Sequence, residues 1–335
     1  MTLIDKRSLS PSPQNIQKAR FALAQVTPEM LTAAGLTLDA SDATAAFARE
    51  FEWVDQTLLR TLYTPLQSEE LVTYFPAGGP SVESVTWRQV TELGVAEVGG
   101  DYTTRAPRAD VVGSEKTVKV ENITAEWAVS VFDLVRAASN PTINLSAEKK
   151  EAAFNMVRRS HDQICLSGHT ALARTGLVND AAVPVVTAVT GTAWATATAD
   201  EMVDDVDKLT WAIVTNTKNN VVPDTLVVPL SLGSRLSKRI GTDANQTVGS
   251  WIVSKSQHVK KIILTPALDT ADAGGDGPRI MAYKNDKSVL RYGANAMFTE
   301  LAPQNRGFEI VTPCYGRTSF LQVLVPLACA YMDVD

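Results

Sequence analysis

The sequence predicts an α+β chain whose second half is a mixed α/β lobe. Three observations carry this expectation. Residues 81–129 hold a period-two strand pattern, a long amphipathic helix starts near Ser146, and helix and strand signals alternate beyond residue 198. At 335 residues, 45% of them hydrophobic and 20% charged, the chain can bury two packed units or one large lobed one.

Taken in order, residues 1–80 read as irregular with short amphipathic pieces. Gln14–Ala24 has mild helical periodicity. Ser41–Tyr63 is a stronger helix, with Ala46, Phe47, Phe51, Val54, Leu58 and Leu62 at three- and four-residue steps and Ser41 or Asp42 as cap. The stretch Phe75–Gly79 breaks that pattern. Val82, Val85, Trp87, Val90 and Leu93 then form a β-branched run. Residues 95–108 are too rich in Gly, Asp, Thr and Arg to form core, and Val118, Val120 and Ile123 alternate with polar residues. Two strands about a polar tip read as a long hairpin. Such a hairpin is only marginally stable alone, so this one needs something to lie against.

Ser130 can cap a short helix, Val131–Ala138, which Pro141 ends. Ser146 is expected to cap a helix to about Leu166, with Ala153, Phe154, Val157, Ile164 and Cys165 as its stripe and Gly168 as its terminator. Thr198-Ala-Asp-Glu201 is a capping box opening a helix whose face is Met202, Val206, Leu209 and Ile213. Thr225–Val228 reads as a buried strand, and Pro229–Leu236 and Thr247–Lys255 as short helices. Lys261–Thr265, Arg279–Tyr283, Phe308–Thr312 and Thr318–Val325 read as strands.

Composition excludes several classes. Thirty-one basic against thirty-seven acidic residues give a net charge of −6, a poor basis for non-specific nucleic-acid binding. The three cysteines, Cys165, Cys314 and Cys329, include no C-x-x-C pair, which argues against a disulfide scaffold or a structural zinc site. The polar start MTLIDKRSLSPSPQ has no apolar signal region, and no stretch reads as a membrane span, so a soluble cytoplasmic product is expected.

Candidate chemistry is sparse. No Walker A, G-x-S-x-G, H-E-x-x-H or kinase pattern occurs. Gly274–Gly277 reads as a turn. Asp269, Asp272 and Asp276 lack EF-hand spacing, and Asp200, Glu201, Asp204 and Asp205 suit a helix start. His161 and Cys165 stand four residues apart but read as packing residues, and His169 as closing the helix end. No catalytic, cofactor or metal residues are assigned. Arg88, Arg105 and Arg108 on the hairpin, with Trp87 and Trp127 as aromatic anchors, are the candidate subunit-interface residues.

The order of parts resembles the HK97-fold major capsid proteins of tailed bacteriophages. The resemblance rests on Ser84–Gly94 leading to Val111–Val120, on Cys165-Leu-Ser-Gly-His169 with Gly176-Leu-Val-Asn179, and on Trp194 followed by Thr198-Ala-Asp-Glu201. Pro223–Pro229, Asp276–Tyr283 and Val325–Tyr331 extend it, so that it spans about residues 80–335. His169 departs from the acidic residue expected after the glycine.

The resemblance implies an N-terminal arm over 1–80, an extended E-loop over 81–129 lying on the adjacent subunit, and a P-domain with its spine helix over 130–179. It further implies an A-domain over 180–310 and C-terminal strands over 311–335 returning to the core. The implied function is a non-enzymatic subunit that self-assembles as pentamers and hexamers into an icosahedral head around double-stranded DNA, without sequence-specific contact. Portal, scaffold or decoration proteins are the implied further partners, the virion its location and the bacterial cytoplasm its place of assembly. No covalent cross-link pair is assigned. The alternatives are an encapsulin-like nanocompartment shell and, from another class, a cytoplasmic α/β hydrolase.

Overall fold

The computed structural model describes residues 63–99, 107–139, 145–189, 191–241, 246–256, 258–272, 275 and 277–334. The chain divides into two compact units, Met1–Tyr63 and Thr64–Asp335, and every element below belongs to the second. The expected helices Gln14–Ala24 and Ser41–Tyr63 fall outside the described residues, apart from Tyr63 itself.

Among the described residues the second unit holds three sheets. The first contains β1 (Tyr74–Phe75), β4 (Glu121–Ser130), β8 (Leu290–Glu300), β9 (Gln304–Arg306) and β10 (Glu309–Val323). Its order is β1-β8-β10-β4, with β9 also paired to β10. The second runs β11-β7-β5-β6, from Cys329–Asp333, Arg279–Tyr283, Thr225–Pro229 and Lys261–Thr265. The third is a hairpin of β2 (Ser84–Leu93) and β3 (Asp110–Lys119).

The long helix α3 (Leu145–Ser167) packs across β4, β8 and β10. Among the described residues two shorter helices precede it, α1 (Ser68–Leu71) and α2 (Val131–Ser139). Ala153, Val157, His161, Ile164 and Cys165 of α3 are buried, which is the spacing of one helical face. Ser146 lies inside the first turn of α3, so it is not the cap expected from the sequence. Gly168 ends the helix at φ +76°, and a Cβ there would meet the Arg174 carbonyl oxygen at 2.2 Å, so only glycine fits.

The second sheet is buried on both faces, and its strands read accordingly as unbroken apolar runs. Val227, Met281, Tyr283, Cys329 and Tyr331 join one core with residues of the first sheet and α3. Their neighbours Leu226, Val228, Ile280, Ala282, Ala330 and Met332 join a second core. That core is closed by α4 (Ala199–Asn216) and α5 (Val248–Lys255). The period of two fixes which side chain goes where. The expected capping box at Thr198 and Glu201 is formed, and Met202, Val206, Leu209 and Ile213 are buried. Pro229–Leu236 forms a 3-10 helix over Leu230–Ser237.

Several sequence expectations change. The segment expected to be irregular to residue 80, with short amphipathic pieces, holds the helix Ser68–Leu71 and the strand Tyr74–Phe75 among its described residues. There Asp162 of α3 accepts from the backbone N–H groups of Gln67 and Ser68 at 2.9 and 2.8 Å, and Leu71 and Val72 are fully buried. The hairpin ends at Lys119, and Glu121–Ser130 turns into the first sheet, pairing antiparallel with β10. Phe308–Thr312 and Thr318–Val325 are not two strands. They are parts of one strand, β10, whose register against β8 shifts between Tyr315 and Leu321. β8 was not anticipated, whereas β11 falls within the C-terminal strands expected over 311–335. β8, β9 and β10 share the first sheet, and β11 lies in the second.

Candidate subunit interface

The hairpin is the feature that the rest of the unit does not explain. Every β3 residue but Val118 is exposed, and so is every β2 residue but Val85 and Trp87. The two strands pair in unbroken register from Ser84↔Lys119 to Leu93↔Asp110. Thr86 and Thr117 share a hydroxyl hydrogen bond of 2.8 Å, and Arg88 donates to Glu115 at 2.7 Å. These cross-strand pairs hold the ribbon's shape but bury almost nothing. Its outer part instead presents Val90, Leu93, Val95, Val111 and Val112 to solvent, Val95 at 79% exposure. A long two-stranded ribbon with an apolar outer part and open edges is a candidate surface for another chain.

The five candidate residues fall in two places. Trp87 is half-buried on β2 and packs against the unit's own core at the hairpin root. Arg88 sits one residue on, exposed and ion-paired with Glu115. Arg108 is exposed just before β3, and Arg105 lies outside the described residues. Trp127 is not on the hairpin. It lies on β4 opposite Thr312, with its indole nitrogen buried.

Near the hairpin root the first sheet forms a cleft of about 720 Å³, lined among others by Pro80, Thr124, Glu126, Leu301, Tyr315 and Arg317. Its charges are already engaged, Glu126 with Arg306 at 3.2 Å and Arg317 with the Pro80 carbonyl. It has the concavity of a binding site but no nucleophile–base pair.

The residues screened for chemistry serve structure. His161, 1% exposed, contacts the Tyr292 hydroxyl through Nδ1 at 3.0 Å, not Cys165. Burial lowers its pKa to about 4, partly offset by the carbonyls of Ala296 and Met297. Burial, with Asp162 adding to it, pushes the Cys165 thiol well above its ordinary value, the opposite of an activated nucleophile. Asp205 is fully buried and accepts from the Val189 N–H at 2.7 Å and from Trp194 Nε1 at 2.9 Å. Glu201 accepts from the Thr198 N–H at 2.7 Å, which holds its pKa below the usual range. Asp269 accepts from both the backbone and the hydroxyl of Ser231. Among the described residues no cluster of His, Cys, Asp and Glu could hold a metal ion, and no helix is long and apolar enough to cross a membrane.

Missed from sequence were Asp162, which holds Gln67 and Ser68, and the buried phenols. Tyr283 donates to the Leu71 carbonyl at 2.6 Å, and Tyr331 to that of Leu177 at 2.5 Å. All four partners are remote in sequence, and no local signal marks them.

Comparison with known proteins adds independent findings. A family model described as "Major capsid protein" matches residues 94–334. No curated protein matches the chain by sequence. Among solved structures, a chain from "The capsid of Myoviridae Phage XM1" aligns with a TM-score of 0.74 at 20% identity, covering 85% of this chain and 97% of that one. A chain from Mycobacterium phage Adephagia aligns with a TM-score of 0.60 at 13% identity, covering 89% and 98%. One from Mycobacterium phage Cain aligns with a TM-score of 0.58 at 14% identity, covering 84% and 92%. At these identities the likeness is one of fold, and the fold is that of HK97-like phage capsids.

Proposed function

The chain belongs to the major capsid protein family, and on that premise we propose how this subunit builds its shell. As a shell-forming structural protein it has copies of itself as its partners and the virion as its location. Pentamers and hexamers of the chain tile an icosahedral head that encloses double-stranded DNA. The net charge of −6 supports a wall that holds nucleic acid without gripping it, since phosphate contact is chiefly cationic. Assembly takes place in the bacterial cytoplasm, with portal, scaffold or decoration proteins as further partners, and the subunit performs no catalysis.

In this reading residues 1–80 are the N-terminal arm, and the hairpin Ser84–Lys119, within the E-loop expected over 81–129, is laid over the adjacent subunit. The first sheet with α3 is the P-domain, and the second sheet with α4 and α5 the A-domain. Arg88, Arg105 and Arg108 contact the neighbour, with Trp87 and Trp127 at the inner margin of that interface. The observation that carries the reading is the exposed ribbon with its apolar outer part, which gains stability only from a neighbour. A heterologous contact of this kind closes into rings when its rotation allows.

The test replaces Gly94–Ala109 with a two-residue Asn-Gly turn, which suits a short hairpin. The subunit is expected to stay soluble with an unchanged melting temperature and to lose shell formation in electron micrographs. Normal shells from this variant would contradict the arm-over-neighbour contact.

A further inference from the structure

The cleft on the first sheet combines apolar walls with a single uncancelled charge. The β4–β10 register sets Asn122 opposite Arg317, Thr124 opposite Tyr315 and Glu126 opposite Pro313. All six line the cleft, as the period of two requires of residues on one face. Gly316, between Tyr315 and Arg317, turns the other way, since a Cβ there would meet His161 and Val157 of α3. The cleft therefore occupies the face of the sheet turned away from the long helix. At about 720 Å³ it has the size of a small-molecule site. Its apolar surface comes from Pro80, Leu301, Pro313 and the Tyr315 ring, with Leu301 48% exposed.

The charge sits at one end. Arg317 is half-buried, and its Nη1 donates to the Pro80 carbonyl, a neutral acceptor that leaves the guanidinium charge uncancelled. Its Nε is buried and has no hydrogen-bond partner among the described residues. A buried N–H without an acceptor is costly, and more so on a charged group. Glu126, the other charged residue of the lining, stands four residues along β4 from Asn122, about 13 Å at the usual strand rise. It is already paired with Arg306 at 3.2 Å.

These features select a ligand class. Arg317 repels a cation. A phosphate polymer needs several basic residues, and this lining holds one. A monocarboxylate sets two oxygens in one plane, matches the Nε–Nη2 edge of a guanidinium, and carries the one charge that Arg317 balances. Asn122 and Thr124, both exposed, add an amide and a hydroxyl to the same face.

We propose that this cleft binds a small organic monocarboxylate, its head group held by Arg317 and its apolar body set against Pro80, Leu301 and Pro313. The site goes beyond the shell-forming reading and does not depend on it.

The test titrates sodium benzoate into the purified full chain, followed by saturation-transfer NMR and isothermal calorimetry. Benzamide serves as the uncharged analogue of the same shape, and inorganic phosphate as the bare anion. Benzoate is expected to bind, and both controls to bind about tenfold more weakly or worse. Arg317→Gln keeps a donor for the Pro80 carbonyl but removes the charge, and is expected to weaken benzoate binding about tenfold or more. Leu301→Glu is the second variant, and it leaves Arg317 in place. It sets a carboxylate on an exposed part of the wall, so it is expected to repel benzoate while the melting temperature holds. Absence of benzoate binding to the wild type would overturn the site, and so would benzamide binding as tightly as benzoate. Phosphate binding as tightly as benzoate would overturn the carboxylate class. Benzoate binding undiminished in both variants would place the ligand elsewhere on the chain and overturn the assignment to this cleft.

Discussion

His161 shows how a single side chain can look catalytic in sequence and act structurally in the fold. It lies beneath Gly316, where a Cβ would stand 2.6 Å from Nε2. Protonating it in place is unfavourable, hence its pKa of about 4 against the ordinary 6.5. The unfolded chain therefore binds this proton more readily than the folded one between those values. Stability is full above pH 6.5 and falls as the pH drops toward 4, by about 3 kcal/mol for this group. His161→Gln is expected to flatten that part of the stability–pH curve in denaturant titrations; an unchanged slope would show that other groups set it. Asp205→Ala should cost about 2–4 kcal/mol, measured the same way, because it strands the Trp194 indole N–H and the Val189 amide in the core. The packing role of His161 was legible from its place on the helix stripe. The anchoring role of Asp205 was not, because its partners become adjacent only once Val189 and Trp194 fold back over α4.

Among the elements, those with local punctuation were the most legible. The capping box opening α4, the glycine ending α3 and the buried run of β5 follow from short-range chemistry. Thr198→Ala is expected to lower thermal stability by about 1 kcal/mol, the usual worth of such a cap. β10 was illegible as one strand because Pro313 and Gly316 read as breakers. Both are used by the fold. Pro313 still accepts through its carbonyl from the Leu301 N–H, and Gly316 lets α3 approach, with Val157 Cγ1 at 2.9 Å from a hypothetical Cβ. Gly316→Ala should therefore destabilise by about 1–3 kcal/mol through overpacking, read as a lower melting temperature. The hairpin's existence was visible in its period of two. Its inner end was not, because the pattern runs on past Val120 while the pairing partner changes from β2 to β10.

At the scale of the whole molecule, the order of parts carried more than any single motif. A ribbon with little core, a long helix across a sheet and a sheet buried on both faces together mark a subunit built to be completed by others. What sequence order could not convey is which strands share a sheet. β8 and β10 join β4 across long stretches of chain, and long-range pairing leaves no local signal. Two apolar surfaces, one on the hairpin and one on α2 with Phe308, lie open to solvent in the single subunit. Sedimentation velocity with negative-stain electron microscopy on the purified full chain, with its scaffold supplied if needed, tests this account most directly. Closed shells or ring-shaped capsomers are the predicted result. A uniform monomer at high concentration with scaffold and the other head proteins present would contradict it.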